Sequence, residues 1–344
     1  MGRRRAFGHL LLWRLAEFRR EPEVIFWVFV FPLLLAIGLG IAFRDGAPAK
    51  LPVAVIEGAG AAEMAAALAA APELACEIME PGQAARALRL GKVVLLAEPS
   101  DPVTYRFDPS RPESLLARAA ADAALQRAAG RRDPVAVRDE AVSEPGGRYI
   151  DFLIPGLLGM NLMGGGMWGV GYVIVEMRIR MLLKRLMATP MRRSDFLLAI
   201  VASRLIFMLA ETAVLLCCGR ELFDVRIQGS VAAILCVGLL GSLCFSGLGL
   251  LTASRARKIE TISGLVNLVM LPMYVLSGVF FSAERFPAAV QPFIQALPLT
   301  ALNDALRAVI LEGATLASQW HELCIMGAWG GIAFALALRW FRWS

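Results

Sequence analysis

Two long apolar runs flank a short basic segment in the middle of this chain, and few folds accommodate that arrangement. Upstream lies FLIPGLLGMNLMGGGMWGVGYVIV (Phe152 to Val175), and downstream FLLAIVASRLIFMLAETAVLLCC (Phe196 to Cys218). As a helix, each is long enough to cross a hydrocarbon core of roughly 30 Å. Between them, EMRIRMLLKRLMATPMRRSDF carries Arg178, Arg180, Lys184, Arg185, Arg192 and Arg193. The positive-inside rule puts such a segment in the cytoplasm. At about 100° per residue, Ile179, Leu182, Leu183, Leu186 and Met187 fall on one side and Arg178, Arg180, Lys184 and Arg185 on the other. The pattern predicts a short helix lying in the membrane surface and ended at Thr189-Pro190. A cytoplasmic partner could grip the protein there.

Composition supports a membrane location. Of 344 residues, 58% are hydrophobic and the mean hydropathy is +0.61, against about 45–50% apolar residues in soluble domains. The net charge of +6 is unevenly placed, because residues 44–148 hold 13 Lys+Arg against 15 Asp+Glu. The rest of the chain carries the positive excess. Membrane topology therefore accounts for the pI of 9.2 better than nucleic-acid binding does. Among the six cysteines, Cys217, Cys218, Cys236, Cys244 and Cys324 lie in apolar segments, where small packing residues are common. Cys76 stands alone in the polar region, so no disulfide can form within it.

Six spans are predicted, at 24–43, 150–175, 196–218, 230–253, 259–281 and 321–341. The first could be taken for a signal peptide with Ala47-Pro-Ala49 as its cleavage site. Its length of about 20 residues exceeds the roughly 7–15 of an h-region, which favours an uncleaved span. Before it, residues 6–20 mix Phe7, Leu10, Leu11, Trp13, Leu15 and Phe18 with Arg14, Arg19 and Arg20. This is the composition of an amphipathic interfacial helix, expected within residues 1–23.

Residues 44–148 read as a small inserted α/β domain. LPVAVIEG, ACEIME, KVVLLAEP, VTYRFDP and PVAVRDEAV are strand-like, and helices fall at 61–71, within PGQAARALRLG, and at 112–129 after a cap at Asp108 or Ser110. The stretch 282–313 is too interrupted by Pro287, Pro292 and Pro298 to span. It is expected to form two short helices dipping into the outer leaflet.

The charge count orients the chain. Segments 1–23, 176–195, 254–261 and 339–344 carry 6, 6, 3 and 2 Lys+Arg, against 2 each in 219–229 and 282–322. Both termini are therefore expected inside and residues 44–148 outside, since long loops translocate largely regardless of charge.

Motifs for chemistry are absent. The one Gly-Lys pair, Gly91-Lys92, is followed by Val93 and lacks the earlier glycine of a phosphate-binding loop. His9 and His321 are the only histidines and fit no zinc signature, and no serine has a GxSxG context. No catalytic, cofactor-binding or metal-binding residue is expected, and the chain does not read as an enzyme. Arg204 and Glu211 are the charges that stand out within a span, two turns apart on one face. A buried ionisable group is a default functional candidate. The pair reads either as an ion or proton relay or as a structural ion pair between helices. Asp151, at the outer end of the second span, is expected to meet water. Gly165 and Gly169 have GxxxG spacing, and with Met160, Met163, Met167 and Trp168 they form a candidate dimer face or translocation-path wall. Plain packing within the subunit is the other reading.

Leu183-Lys-Arg-Leu-Met-Ala-Thr-Pro-Met-Arg192, Pro298-Leu-Thr300 followed by Ala305-Leu-Arg307 and Gly313, and the Ser277 to Ser282 stretch together resemble the ABC-2 type permeases. These are membrane subunits of ATP-binding-cassette exporters. A large domain between helices 1 and 2 is similar to one subgroup of that family. Glu176-Met-Arg departs from the family pattern, which commonly has Gly-Thr after that acidic start. The resemblance implies the ABC-2 exporter fold and a homodimer, or a heterodimer with a related permease, bound to two separate ATPase subunits. ATP and Mg would then sit on the partner chains and no cofactor on this one. Arg178, Lys184, Arg185, Leu186, Thr189, Pro190, Arg192 and Arg193 would form the ATPase-coupling element. The expected cargo is hydrophobic or amphiphilic: a drug, lipid or secondary metabolite. A gradient-driven transporter using Arg204 and Glu211, or a membrane sensor or scaffold, are the alternatives.

Overall fold

The computed structural model describes residues 8, 16, 21–43, 50–132, 135, 146–187 and 193–340. Apart from positions 8 and 16, the expected interfacial helix at 6–20 lies outside these residues. So does nearly all of the expected last strand, PVAVRDEAV. The chain divides into two units, Asp45–Val142 and the remainder.

In the remainder, the described residues hold six helices long and apolar enough to cross a membrane. The first, α1 (Pro22–Ala42), starts on a proline that supplies a preset φ where no amide is needed. A π-helical turn follows over Phe26–Val30. Pro32 has no N–H to return to the Val28 carbonyl, so that oxygen must find another donor.

The α/β unit is a four-stranded sheet in the order β2-β1-β3-β4, from β1 (Leu51–Ile56), β2 (Leu74–Met79), β3 (Leu95–Glu98) and β4 (Thr104–Phe107). β1 pairs in parallel with β2 and β3, and β4 runs antiparallel to β3. Helices α2 (Ala61–Ala69) and α4 (Pro112–Ala128) cover the face built on Val53, Val55 and Leu95, while α3 (Pro81–Arg89) covers Ala54, Ile56 and Leu96. Burial on both faces explains why the β1 run is continuously apolar. The expected side-chain cap of α4 is not formed. Arg111 stands at the N-cap without a capping bond, and the Asp108 carboxylate instead accepts from the Ser110 N–H (2.9 Å) and Oγ–H (2.6 Å). Asp108 thus closes the turn before Pro112.

The second span, α5 (Tyr149–Ile179), has 31 residues and rises about 46 Å as a helix, well beyond a hydrocarbon core. It absorbs the start of the segment expected to lie in the membrane surface. After Arg180, Met181 adopts φ 57° and a separate short helix follows, α6 (Leu182–Met187). Next come α7 (Arg193–Phe223), α8 (Val231–Ala253) and α9 (Ile259–Leu276). α9 stops before the expected boundary at 281, because Ser277 leads into a left-handed Gly278 (φ 68°). α10 (Gln291–Gln295) and α11 (Pro298–Glu312) precede α12 (Trp320–Trp340).

α8 is the hub of this unit, packed on α5, α7, α11 and α12. Its contact with α5 is backbone on backbone: a Cβ on Gly249 would stand 2.4 Å from the Gly166 carbonyl oxygen, and one on Gly171 2.7 Å from that of Gly249. Small residues permit that approach. α11 is a buried helix against α5, α8 and α12, with Leu299, Leu302, Leu306, Val309 and Ile310 all inaccessible. Helices α10 and α11 fall within the stretch 282–313, where two short helices surrounded by protein were expected.

Candidate functional site

The basic segment is not one continuous amphipathic helix. The left-handed Met181 resets the helical phase between α5 and α6, so a single projection cannot describe residues 176–187. Arg178, expected on the open basic face, instead points into the bundle. Its Nη1 donates to the carbonyl oxygens of Ala253 (2.9 Å), the last residue of α8, and of Ala256 in the loop that follows. Arg180 remains exposed and pairs with Glu176 one turn earlier at 2.7 Å. Within α6, Leu183 is buried (1% exposed) while Arg185 is exposed. Lys184 and Leu186 belong to α6, and Arg193 opens α7. Thr189, Pro190 and Arg192 lie outside the described residues.

Arg204 and Glu211 meet directly. Both Glu211 oxygens accept from the Arg204 guanidinium, Nη1 to Oε1 and Nη2 to Oε2 (2.7 Å). They are 5% and 1% exposed. Side chains lean toward a helix N-terminus, so Glu211 reaches back along α7 as Arg204 extends forward. Arg204 Nη2 also lies 3.5 Å from the Asn161 carbonyl oxygen, and Asn161 Nδ2 donates to Val28 O at 2.9 Å. That is the carbonyl left over by Pro32. A polar thread therefore joins α7, α5 and α1. Asn161 escaped the sequence reading, although a lone amide inside an apolar span was the available signal.

The glycine face of α5 serves this pair. A Cβ at Gly165 would sit 1.8 Å from Arg204 Cζ, and one at Gly169 would be 3.7 Å from Arg204 Cδ. The space beside Gly165 is thus filled by Arg204 within the chain, which fits the packing reading of this glycine. Met163 and Met167 are fully inaccessible and Met160 nearly so, all in the core of the same unit. Trp168 is partly buried and meets the Tyr172 ring at a tilt of 49°, with centroids 5.6 Å apart.

Two further charged groups hold the opposite end of α5. Asp151 is buried rather than wetted. Its carboxylate accepts from Arg148 Nη2 (2.8 Å) and Nε (3.0 Å) and from the Gly146 and Arg148 amides. Arg148 in turn donates to the Asp224 carbonyl oxygen after α7 (3.1 Å). On α11, Arg307 lies 3.8 Å over the Phe152 ring, donates to Gly278 O and pairs with Asp304 at 3.5 Å. Among the described residues, no three His, Cys, Asp or Glu side chains gather as a metal-holding group. An apolar groove of about 230 Å³ opens between α7 and α8, lined by residues that include Leu205, Leu209, Leu235 and Leu239.

The sequence has relatives among known proteins. The sequence profile of the "ABC-2 family transporter protein" family matches residues 22–339. The chain belongs to the ABC-2 family. The match takes in all six spans and the inserted α/β unit. Among curated relatives, the inner membrane transport permease YhhJ of Escherichia coli (strain K12) is 25% identical over 173 residues, covering 50% of this chain and 46% of YhhJ. The probable multidrug ABC transporter permease YbhR of the same organism is 23% identical over 195 residues, 56% of this chain and 53% of YbhR. The linearmycin resistance permease protein LnrN of Bacillus subtilis (strain 168) is 25% identical over 176 residues, 51% and 46% of the two chains. The aligned part thus spans about half the length of these relatives.

Proposed function

We propose that this ABC-2 family chain is the permease subunit of an ATP-driven exporter in a bacterial-type inner membrane. Two copies, or one copy and a related permease, would form the pathway, and two separate ATPase subunits would supply the energy. The supporting observation is the broken basic segment between α5 and α7. It presents Arg185 outward on a short helix anchored by buried Leu183, a form suited to a cleft in a soluble partner. Family membership and the names of YhhJ, YbhR and LnrN point the same way. In this reading residues 176–195 and both termini face the cytoplasm and the α/β unit faces outward. The cargo is hydrophobic or amphiphilic, a reading supported by the drug-related names of two relatives.

The gradient-driven alternative needs Arg204 and Glu211 as a relay. Their mutual two-pronged pairing and near-complete burial favour a structural role instead. Single rim charges are worth about 1 kcal/mol or less, so the test reverses several at once. Arg185, Arg192 and Arg193, all changed to Glu, should leave insertion and folding intact. Co-purification with the ATPase, cargo-stimulated ATP hydrolysis, or both should be lost. Normal ATPase binding and export by this variant would reduce the segment to a charged topology anchor.

A further inference from the structure

Arg178 stands in the basic segment, yet its geometry differs from that of its neighbours. It occupies the last turn of α5, two residues before the chain leaves helical geometry at Arg180 and Met181. Arg180 and Arg185 are exposed, whereas Arg178 is half-buried and spans the gap to α8. There Nη1 meets two carbonyl oxygens, Ala253 O and Ala256 O. The last four carbonyls of a helix have no intrahelical donor and carry the negative end of the helix dipole. A guanidinium is well matched to that site, since it keeps its charge and presents several donors in a fixed plane.

The placement matters because of what lies on each side. α8 is the helix against which α5, α7, α11 and α12 pack. On the other side, α6 hangs from α5 through a turn that contains a left-handed methionine. Buried Leu183 is its apolar anchor. The loop after α8 is drawn into the same cluster, where the Arg255 guanidinium lies 5.6 Å from the Trp340 ring at the end of α12.

We infer that Arg178 is a positioning residue that clamps the last turn of α5, from which α6 hangs, to the C-terminal end of α8, so that movement of α6 passed through the Met181 turn reaches the bundle at this contact. The inference rests on the proposed ATPase-driven function, and it assigns Arg178 to transmission rather than to the ATPase surface.

The test compares Arg178→Ala, Arg178→Lys and the unsubstituted chain in two assays. In the first, a spin label at Arg185→Cys is read on the full-length permease in nanodiscs without any ATPase. Arg178→Ala should raise the mobility of the label, and Arg178→Lys, which keeps a charged donor, should restore part of the order. Unchanged mobility would overturn the clamp whatever the partner. The second assay uses the ATPase that co-purifies with the unsubstituted chain. Arg178→Ala should still co-purify, while cargo moved per ATP falls about fivefold or more, the scale of an ordinary coupling loss. Unchanged coupling would overturn the transmission role, and loss of co-purification would return Arg178 to the binding surface. If no ATPase accompanies the unsubstituted chain, the proposed function fails and with it the transmission role. The label then decides the clamp alone.

Discussion

Arg204 and Glu211 are seven residues apart on α7, and their side chains bridge the roughly 10 Å of helix between them as a two-pronged ion pair shielded from solvent. Gly165 on α5 leaves the space in which the guanidinium lies. Removing one member of such a pair strands its partner's charge, at a cost of roughly 3–5 kcal/mol, whereas replacing both with apolar groups can be neutral. Glu211→Gln should therefore lower thermal stability and expression, and Arg204→Met combined with Glu211→Leu should be less harmful than the single change. Export per folded molecule of Glu211→Gln should stay near that of the unsubstituted protein. A well-folded but inactive Glu211→Gln chain would instead favour gradient-driven transport.

Where α5 crosses α8 the backbones touch, and a methyl group has no space there. Gly249→Ala should force the Gly166 turn away and destabilise the protein by about 1–3 kcal/mol, the usual cost of overpacking. Gly264 on α9 has no atom within 4 Å of an added Cβ. Gly264→Ala should then be neutral or slightly stabilising, through helix propensity alone. Thermal unfolding in detergent compares the two directly, and equal effects would contradict the close crossing.

Arg307 joins α11 to α5 and to the turn after α9 through one planar group. Lysine keeps the charge but loses the flat face that lies over Phe152 and the forked donors. Arg307→Lys should cost about 1.5–3 kcal/mol, the scale of a lost hydrogen bond from a charged donor. Limited proteolysis near Gly278 should accelerate in parallel, and a fully stable lysine variant would show that charge alone suffices.

Topology is open to a direct chemical test. In a cysteine-free background, a membrane-impermeant thiol reagent applied to intact cells should modify Ser110→Cys and spare Ser194→Cys. The reverse pattern would invert the proposed orientation.

The native Cys76 should react slowly for a stated reason. Half-burial on β2 disfavours the thiolate and pushes its pKa above the ordinary thiol value. At a given alkaline pH its reactive fraction is therefore smaller than that of Ser110→Cys, an exposed site. Its alkylation rate should keep rising with pH after the rate at position 110 has levelled off. Coincident profiles would remove the assigned effect of burial.

Much of this architecture is legible in the residues themselves. Runs of about 20 apolar residues in Val24–Phe43, Ser230–Ala253 and their counterparts can satisfy their backbone in lipid only as helices. LPVAVIEG, ACEIME, KVVLLAEP and VTYRFDP announce four strands, because apolar and β-branched runs between glycine and proline breaks have few other outcomes. The basic break at Arg178–Arg193 and the lack of a phosphate-binding loop follow from composition and spacing alone.

Other assignments depended on neighbours. Asp151 looked solvated until Arg148 and two amides closed around it, and Arg178 looked outward-facing until the carbonyls of Ala253 and Ala256 took its donors. Gly165 was open to a dimer, pathway or packing role by spacing alone, and it is Arg204 that fills the space beside it. The physical reason is common to all three. In a bilayer, lipid-facing and protein-facing positions are both apolar, so hydropathy marks a span but not the face it buries. A helical wheel gives a residue's angle on its own helix, and only the packed structure shows which backbone carbonyl, guanidinium or glycine lies at that angle on the next one.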